Sequence, residues 1–122
     1  MDKEIFWKIM LETNKKGGGD PTIQQEIIEN NLNELSPEEI IEFDNINREL
    51  INNAYDWNLW GAAYVINGGC SDDSFMDFRG WLIGQGKEVY FKALSNLDSL
   101  SELENLEEDM EWEGYGLSLI HI

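Results

Sequence analysis

The reactive side chains of this sequence concentrate between Asn67 and Arg79. Gly68-Gly69-Cys70-Ser71-Asp72-Asp73 brings a thiol, a hydroxyl and paired carboxylates to the start of a helical pattern, and Arg79 follows about two turns later. Paired carboxylates suit acid–base work or cation binding. Asp72 and Asp73 are adjacent, however, and adjacent residues do not face each other on one helical surface. Carboxylates there also cap a helix and suit its dipole, so capping is the simpler role and ligand contact the sharper one. Cys70 carries the same tension, because a thiol just ahead of a helix N-terminus can have a lowered pKa. The sole histidine, His121, is the penultimate residue. A Cys–His pair is therefore disfavoured against a packing thiol. Arg79 sits in Phe78-Arg79-Gly80-Trp81. In so acidic a chain it is expected to pair with Asp72, Asp73 or Asp77 and anchor the loop to the core; the alternative is an anionic ligand.

Trp57, Trp60 and Tyr64 recur at i, i+3 and i+7, and Trp81 follows on the next helical pattern. These rings either fill the core or floor a cleft rimmed by Asn67, Asp72, Asp73 and Arg79. The candidate ligand or interaction residues are thus Trp57, Trp60, Tyr64, Asn67, Asp72, Asp73, Arg79 and Trp81. No nucleophile–base pair, metal-ligand set or cofactor cradle shows in the sequence, so no catalytic residue, metal ligand or cofactor is assigned. Cys70 is the only cysteine, which excludes an intrachain disulfide and a multi-cysteine zinc site.

The elements that must position these residues read as helix after helix. Ile5, Phe6, Ile9 and Met10 form a helical stripe widened by Trp7 and Leu11, and Gly17-Gly18-Gly19 ends it. Asp20-Pro21 starts the next helix, with Ile23, Ile27, Ile28 and Leu32 as its buried face. Ser36-Pro37-Glu38-Glu39 is a capping box ahead of Ile40, Phe43, Ile46, Leu50 and Ala54. Trp57 to Ile66 is the least polar stretch and predicts a central, nearly buried helix ended by Asn67-Gly68-Gly69. Ser71, Asp72 or Asp73 caps a helix carrying Phe75, Phe78, Trp81 and Leu82. Val89, Tyr90, Phe91 and Leu94 continue it, either beyond a break or along a bend at Gly84 and Gly86. A last helix is expected from Asp98 to Trp112, with a strongly acidic solvated face. About six helices without a hairpin predict an all-α fold.

The chain has 122 residues, the size of one domain, and 42% of them are hydrophobic, enough to fill a core. It has 8 Lys plus Arg against 25 Asp plus Glu, a formal charge of −17. That balance opposes nucleic-acid and anionic-membrane binding and favours a protein partner with a basic surface. No secretory signal shows, and no apolar run approaches the roughly 18 residues of a membrane span, so the expected location is the cytoplasm. The expected organisation is one helical domain over 1–112 and an irregular tail over 113–122. The ending Leu117-Ser118-Leu119-Ile120-His121-Ile122 resembles translated sequencing adapter, which predicts a truncated reading frame with non-native final residues.

The string Trp57-Asn58-Leu59-Trp60-Gly61-Ala62-Ala63-Tyr64-Val65-Ile66-Asn67-Gly68-Gly69-Cys70-Ser71-Asp72-Asp73, then Phe75 and Phe78-Arg79-Gly80-Trp81-Leu82-Ile83, resembles the bacterial domain-of-unknown-function family 4240. Phe6-Trp7 and Leu35-Ser36-Pro37-Glu38-Glu39-Ile40 fit the same pattern, and the resemblance covers about residues 1–100. It implies a small bacterial, cytoplasmic domain and carries no activity with it. The expected function is a protein-interaction or regulatory module, of the kind that neutralises a basic toxin or effector. The alternative is small-ligand binding or hydrolysis at the Asn67–Arg79 loop and a Trp-lined cleft.

Overall fold

A computed structural model describes residues 1–102. The expected helix through Trp112 and the tail over 113–122 lie largely or wholly outside the described residues. Within them the chain is all-helical, with α1 (Lys3–Lys16), α2 (Pro21–Leu32), α3 (Pro37–Asn53), α4 (Trp57–Asn67), α5 (Asp72–Gly84) and α6 (Lys87–Ser95). A 3-10 helix over Leu97–Glu102 follows, and no strand occurs among the described residues.

Local signals set most of the boundaries. The Asp20 side chain accepts from the Thr22 and Ile23 amides, with Pro21 opening α2. Ser36 and Glu39 form the reciprocal capping box of α3. Gly68, at φ 68°, closes α4 in the left-handed conformation that a side chain would resist. Ser71 caps α5 by accepting from the Ser74 amide. α5 and α6 are separate helices, divided at Gln85-Gly86, where Gly86 has φ 109°.

The core forms around α5, which packs against α1, α2, α3, α4 and α6. Phe75, Phe78 and every residue from Arg79 to Gly84 are buried. The expectation that α4 is the central helix is therefore corrected. Only Leu59 and Ala63 of α4 are buried. Its apolar residues point around the whole helix, so one neighbour can cover only one stripe of them. α5 takes the centre because it is apolar on several faces and carries Gly84, where the Gln24 side chain approaches closely.

Smaller corrections share one cause. α1 buries Phe6, Trp7, Met10 and Thr13, leaving Ile5 and Leu11 exposed. α2 buries Gln24, Ile28 and Leu32 and exposes Ile23. In both helices a polar residue takes an inward position because its hydrogen bonds are met there. The Gln24 amide nitrogen donates to Gly84 O at 2.8 Å and to Met10 O and Thr13 Oγ1 at 3.3 Å. Thr13 Oγ1 in turn donates to Ile9 O at 2.7 Å.

Candidate interaction surface

Two helices build the site. Trp57 and Trp60 stand one turn apart on α4, and Phe75, Phe78 and Trp81 repeat every three residues on α5. Their rings stack into one column running from solvent to core. Trp57 lies on Trp60 at 5.6 Å and 12°, Trp60 on Phe75 at 5.1 Å and 10°. Phe75 lies on Phe78 at 6.5 Å and 18°, and Phe78 on Trp81 at 5.7 Å and 25°. Trp57 is 80% exposed at one end and Trp81 is 1% exposed at the other. Stacking of this kind adds to area burial and holds each ring in place.

Tyr55, Asp72 and Arg79 flank the column. Tyr55 meets Trp60 and Phe75 edge-on, at 5.8 Å and 5.7 Å. Its hydroxyl donates to Asp72 Oδ1 at 3.4 Å. The Arg79 guanidinium lies 4.8 Å from the Tyr55 ring centre and 4.5 Å from that of Phe75. Its Nη1 donates to Ile51 O at 2.8 Å and its Nε to Phe75 O at 3.3 Å. Burial lowers its pKa from the usual arginine value, while Asp72 and then Tyr55 and Tyr90 pull the other way. The expected ion pair with Asp72, Asp73 or Asp77 is thus replaced by backbone carbonyls and ring faces, and Asp72 acts only through the field and Tyr55.

The remaining candidates separate. Trp60 Nε1 donates to Cys70 O at 2.9 Å, tying α4 to the loop before α5. Asn67 turns its amide onto Gly69 O at 3.3 Å, a local loop contact. Asp72 and Asp73 stand exposed in the first turn of α5, where they suit the helix dipole. The Cys70 Sγ donates to Ser71 O at 3.6 Å. Burial, and then the charge of Asp77, push this thiol above its ordinary pKa, the opposite of an activated nucleophile. Arg79 faces inward and Trp81 is in the core, so these residues do not converge on a Trp-floored cleft. Among the described residues no three His, Cys, Asp or Glu side chains are placed to hold a metal ion.

The structure brings forward an outward face instead. Trp57, Gly61, Tyr64 and Val65 follow i, i+4, i+7 and i+8, one stripe of α4. Val65 is 78% and Tyr64 57% exposed. Gly61 leaves open space, since an added Cβ would meet nothing within 4 Å. No residue of α4 is charged, whereas Asp56 precedes it and Asp72 and Asp73 open the next helix. Beside its start lies a concavity of about 360 Å³ between Asp56, Asn58, Asn96 and Asp98.

Val65, Tyr55 and Phe75 were not candidates from sequence. Val65 falls within a stretch expected in the core, and Phe75 has the spacing of an ordinary stripe residue. The available signal was that α4 has apolar residues all round and a glycine in its middle, more than one neighbour can cover.

No described helix is long and apolar enough to cross a membrane. None of the curated proteins and none of the solved structures compared with the chain matches it. The chain belongs to the family described as protein of unknown function DUF4240, whose profile matches residues 1–120.

Proposed function

We propose that this protein is a protein-interaction module of the bacterial cytoplasm and that α4 is the face on which a basic partner docks. The observation that carries this reading is the exposed apolar stripe of Trp57, Tyr64 and Val65, on an uncharged helix, in a chain of charge −17. An apolar centre with charge at its rim is the common anatomy of a protein interface. Asp56 at the start of α4, and Asp72 and Asp73 at the start of the next helix, carry the sign of charge that attracts and orients a basic surface. A basic toxin or effector neutralised by this domain is one partner of that kind. The enzymatic alternative is weaker, because Arg79 is committed to carbonyls and rings and the Cys70 thiol is pushed up.

The test is affinity capture from host lysate with wild type and with Val65→Glu, at low and high salt. The expected result is a stoichiometric basic protein that is lost at high salt and lost from the folded Val65→Glu variant. Equal capture by both would overturn the reading.

A further inference from the structure

We propose that the outer face of the Trp57 indole is a stacking platform for an arginine side chain of the partner. This inference rests on the docking reading above and names the chemistry at its centre. Trp57 is the end ring of the stacked column, so one of its faces lies on Trp60 and the ring is still 80% exposed. The support behind it is rigid. Trp60 is fixed by its hydrogen bond to Cys70 O at 2.9 Å and by its stack on the buried Phe75 at 5.1 Å. A large ring whose inner face rests on a fixed neighbour turns its outer π-face to solvent, and tryptophan is the aromatic that binds cations best.

The surroundings select for positive charge. Asp56 caps the start of α4, accepting on Oδ1 from the Asn58 backbone amide at 2.7 Å, and so sets a negative charge at the end of the helix that carries Trp57. The concavity of about 360 Å³ between Asp56, Asn58 and Asp98, at the same end of α4, has no lysine or arginine among its described lining residues. The chain's own arginines are engaged elsewhere, Arg79 between Tyr55 and Phe75 and Arg48 on Asp44 at 2.6 Å. Arginine is favoured over lysine because a guanidinium is flat and weakly hydrated, so it stacks on a ring while its edges donate to carboxylates. The fold already shows this recognition internally, in Arg79 over the Phe75 ring at 4.5 Å.

The experiment titrates the full chain with two capped peptides of equal length and charge, one alternating glycine with arginine and the other glycine with lysine. Binding is read by calorimetry at low and high salt, alongside the Trp57 indole N–H resonance. The expected result is arginine-peptide binding about 2- to 10-fold tighter than lysine-peptide binding, with the Trp57 resonance shifting. Trp57→Leu, checked for an unchanged melt, should erase the preference and leave weaker, salt-sensitive binding of both peptides. Equal, salt-sensitive binding of both peptides by wild type would overturn the platform and leave the docking reading standing. Binding of neither at low salt would overturn both. A wild-type dimer that Trp57→Leu dissolves would assign the face to a second copy and overturn the platform. So would a Trp57 indole shielded from a soluble quencher in the free monomer, which would assign the face to the chain's own residues.

Discussion

Arg79 of α5 closes the C-terminal end of α3 by donating from Nη1 to the Ile51 carbonyl at 2.8 Å. α3 ends at Asn53, so Ile51 belongs to the last turn, whose carbonyls have no partner within the helix. A cation is the favoured group at that end of the helix dipole. The neighbouring carbonyl, that of Leu50, accepts from the Ala54 amide and also from the Tyr90 hydroxyl of α6, at 2.5 Å. One helix end thus gathers α5 and α6, and the guanidinium that does so also backs the aromatic column under Trp57. The exposed ring and the buried cation belong to one construction.

Replacing Arg79 by alanine should destabilise the fold by about 2–4 kcal/mol, because two carbonyls lose charge-assisted hydrogen bonds and two rings lose a cation. Arg79→Lys should recover little, since an ammonium cannot reach both carbonyls and lie flat on Phe75. Chemical denaturation of the two variants checks this. An unchanged midpoint in Arg79→Ala would remove the anchoring role.

Burial pushes the Tyr90 hydroxyl up to about 12, against the opposing pull of Arg79 and with a further push from Glu49. The unfolded chain releases that proton near the ordinary value of 10.0. Between these values the unfolded state holds fewer protons than the folded state, so stability falls as pH rises and the loss is complete above the folded value. The loss should total about 2–3 kcal/mol. Tyr90→Phe should be less stable at neutral pH by about 1 kcal/mol and lack this alkaline loss. Parallel melts of the two proteins from neutral to strongly alkaline pH isolate the tyrosine, because the two chains differ in that hydroxyl alone.

A Cβ at Gly84 would stand 3.3 Å from Gln24 Oε1, on the side chain that joins α1, α2 and α5. Gly84→Ala should therefore cost about 1–2 kcal/mol in wild type. In a Gln24→Ala background that crowding is gone, and the same change should become neutral or stabilising by up to about 1 kcal/mol, as alanine is the better helix former. A double-mutant cycle reads the coupling, and strict additivity would contradict the account.

Trp57 and Trp60 are both indoles on α4, yet their stability effects should differ. Trp57→Ala should change stability by no more than about 0.5 kcal/mol, because the ring is 80% exposed. Trp60→Ala should cost about 2–4 kcal/mol, since it removes the Cys70 hydrogen bond and the stack on Phe75. Equal losses would mean that Trp57 serves the fold rather than a partner.

What was legible in the sequence follows the range of each interaction. The caps at Asp20, Ser36 and Ser71 and the glycine stop at Gly68 are local, and each falls where its residue type demands. The all-α class follows from them. The exposure of α4 was not legible, because a helix apolar on all sides does not say which stripe its neighbour takes. Sequence predicts an acidic partner for Arg79 because carboxylates are visible in a sequence and unpaired helix-end carbonyls are not. Gln24 left a trace, lying four residues before Ile28 and eight before Leu32 on one stripe. A polar residue in such a place asks for buried partners, which only the meeting of α1, α2 and α5 supplies. The aromatic column was half legible. The spacing of Trp57 and Trp60 was visible, while their continuation through Phe75 depends on how α4 lies on α5.

The most direct test of the docking surface is a backbone amide map of the full chain by NMR during titration with the arginine peptide. Shifts gathered on Trp57, Gly61, Tyr64 and Val65, with lesser ones at Asp56, Asp72 and Asp73, are the predicted result. Shifts spread over acidic residues of other helices, with α4 unmoved, would contradict it.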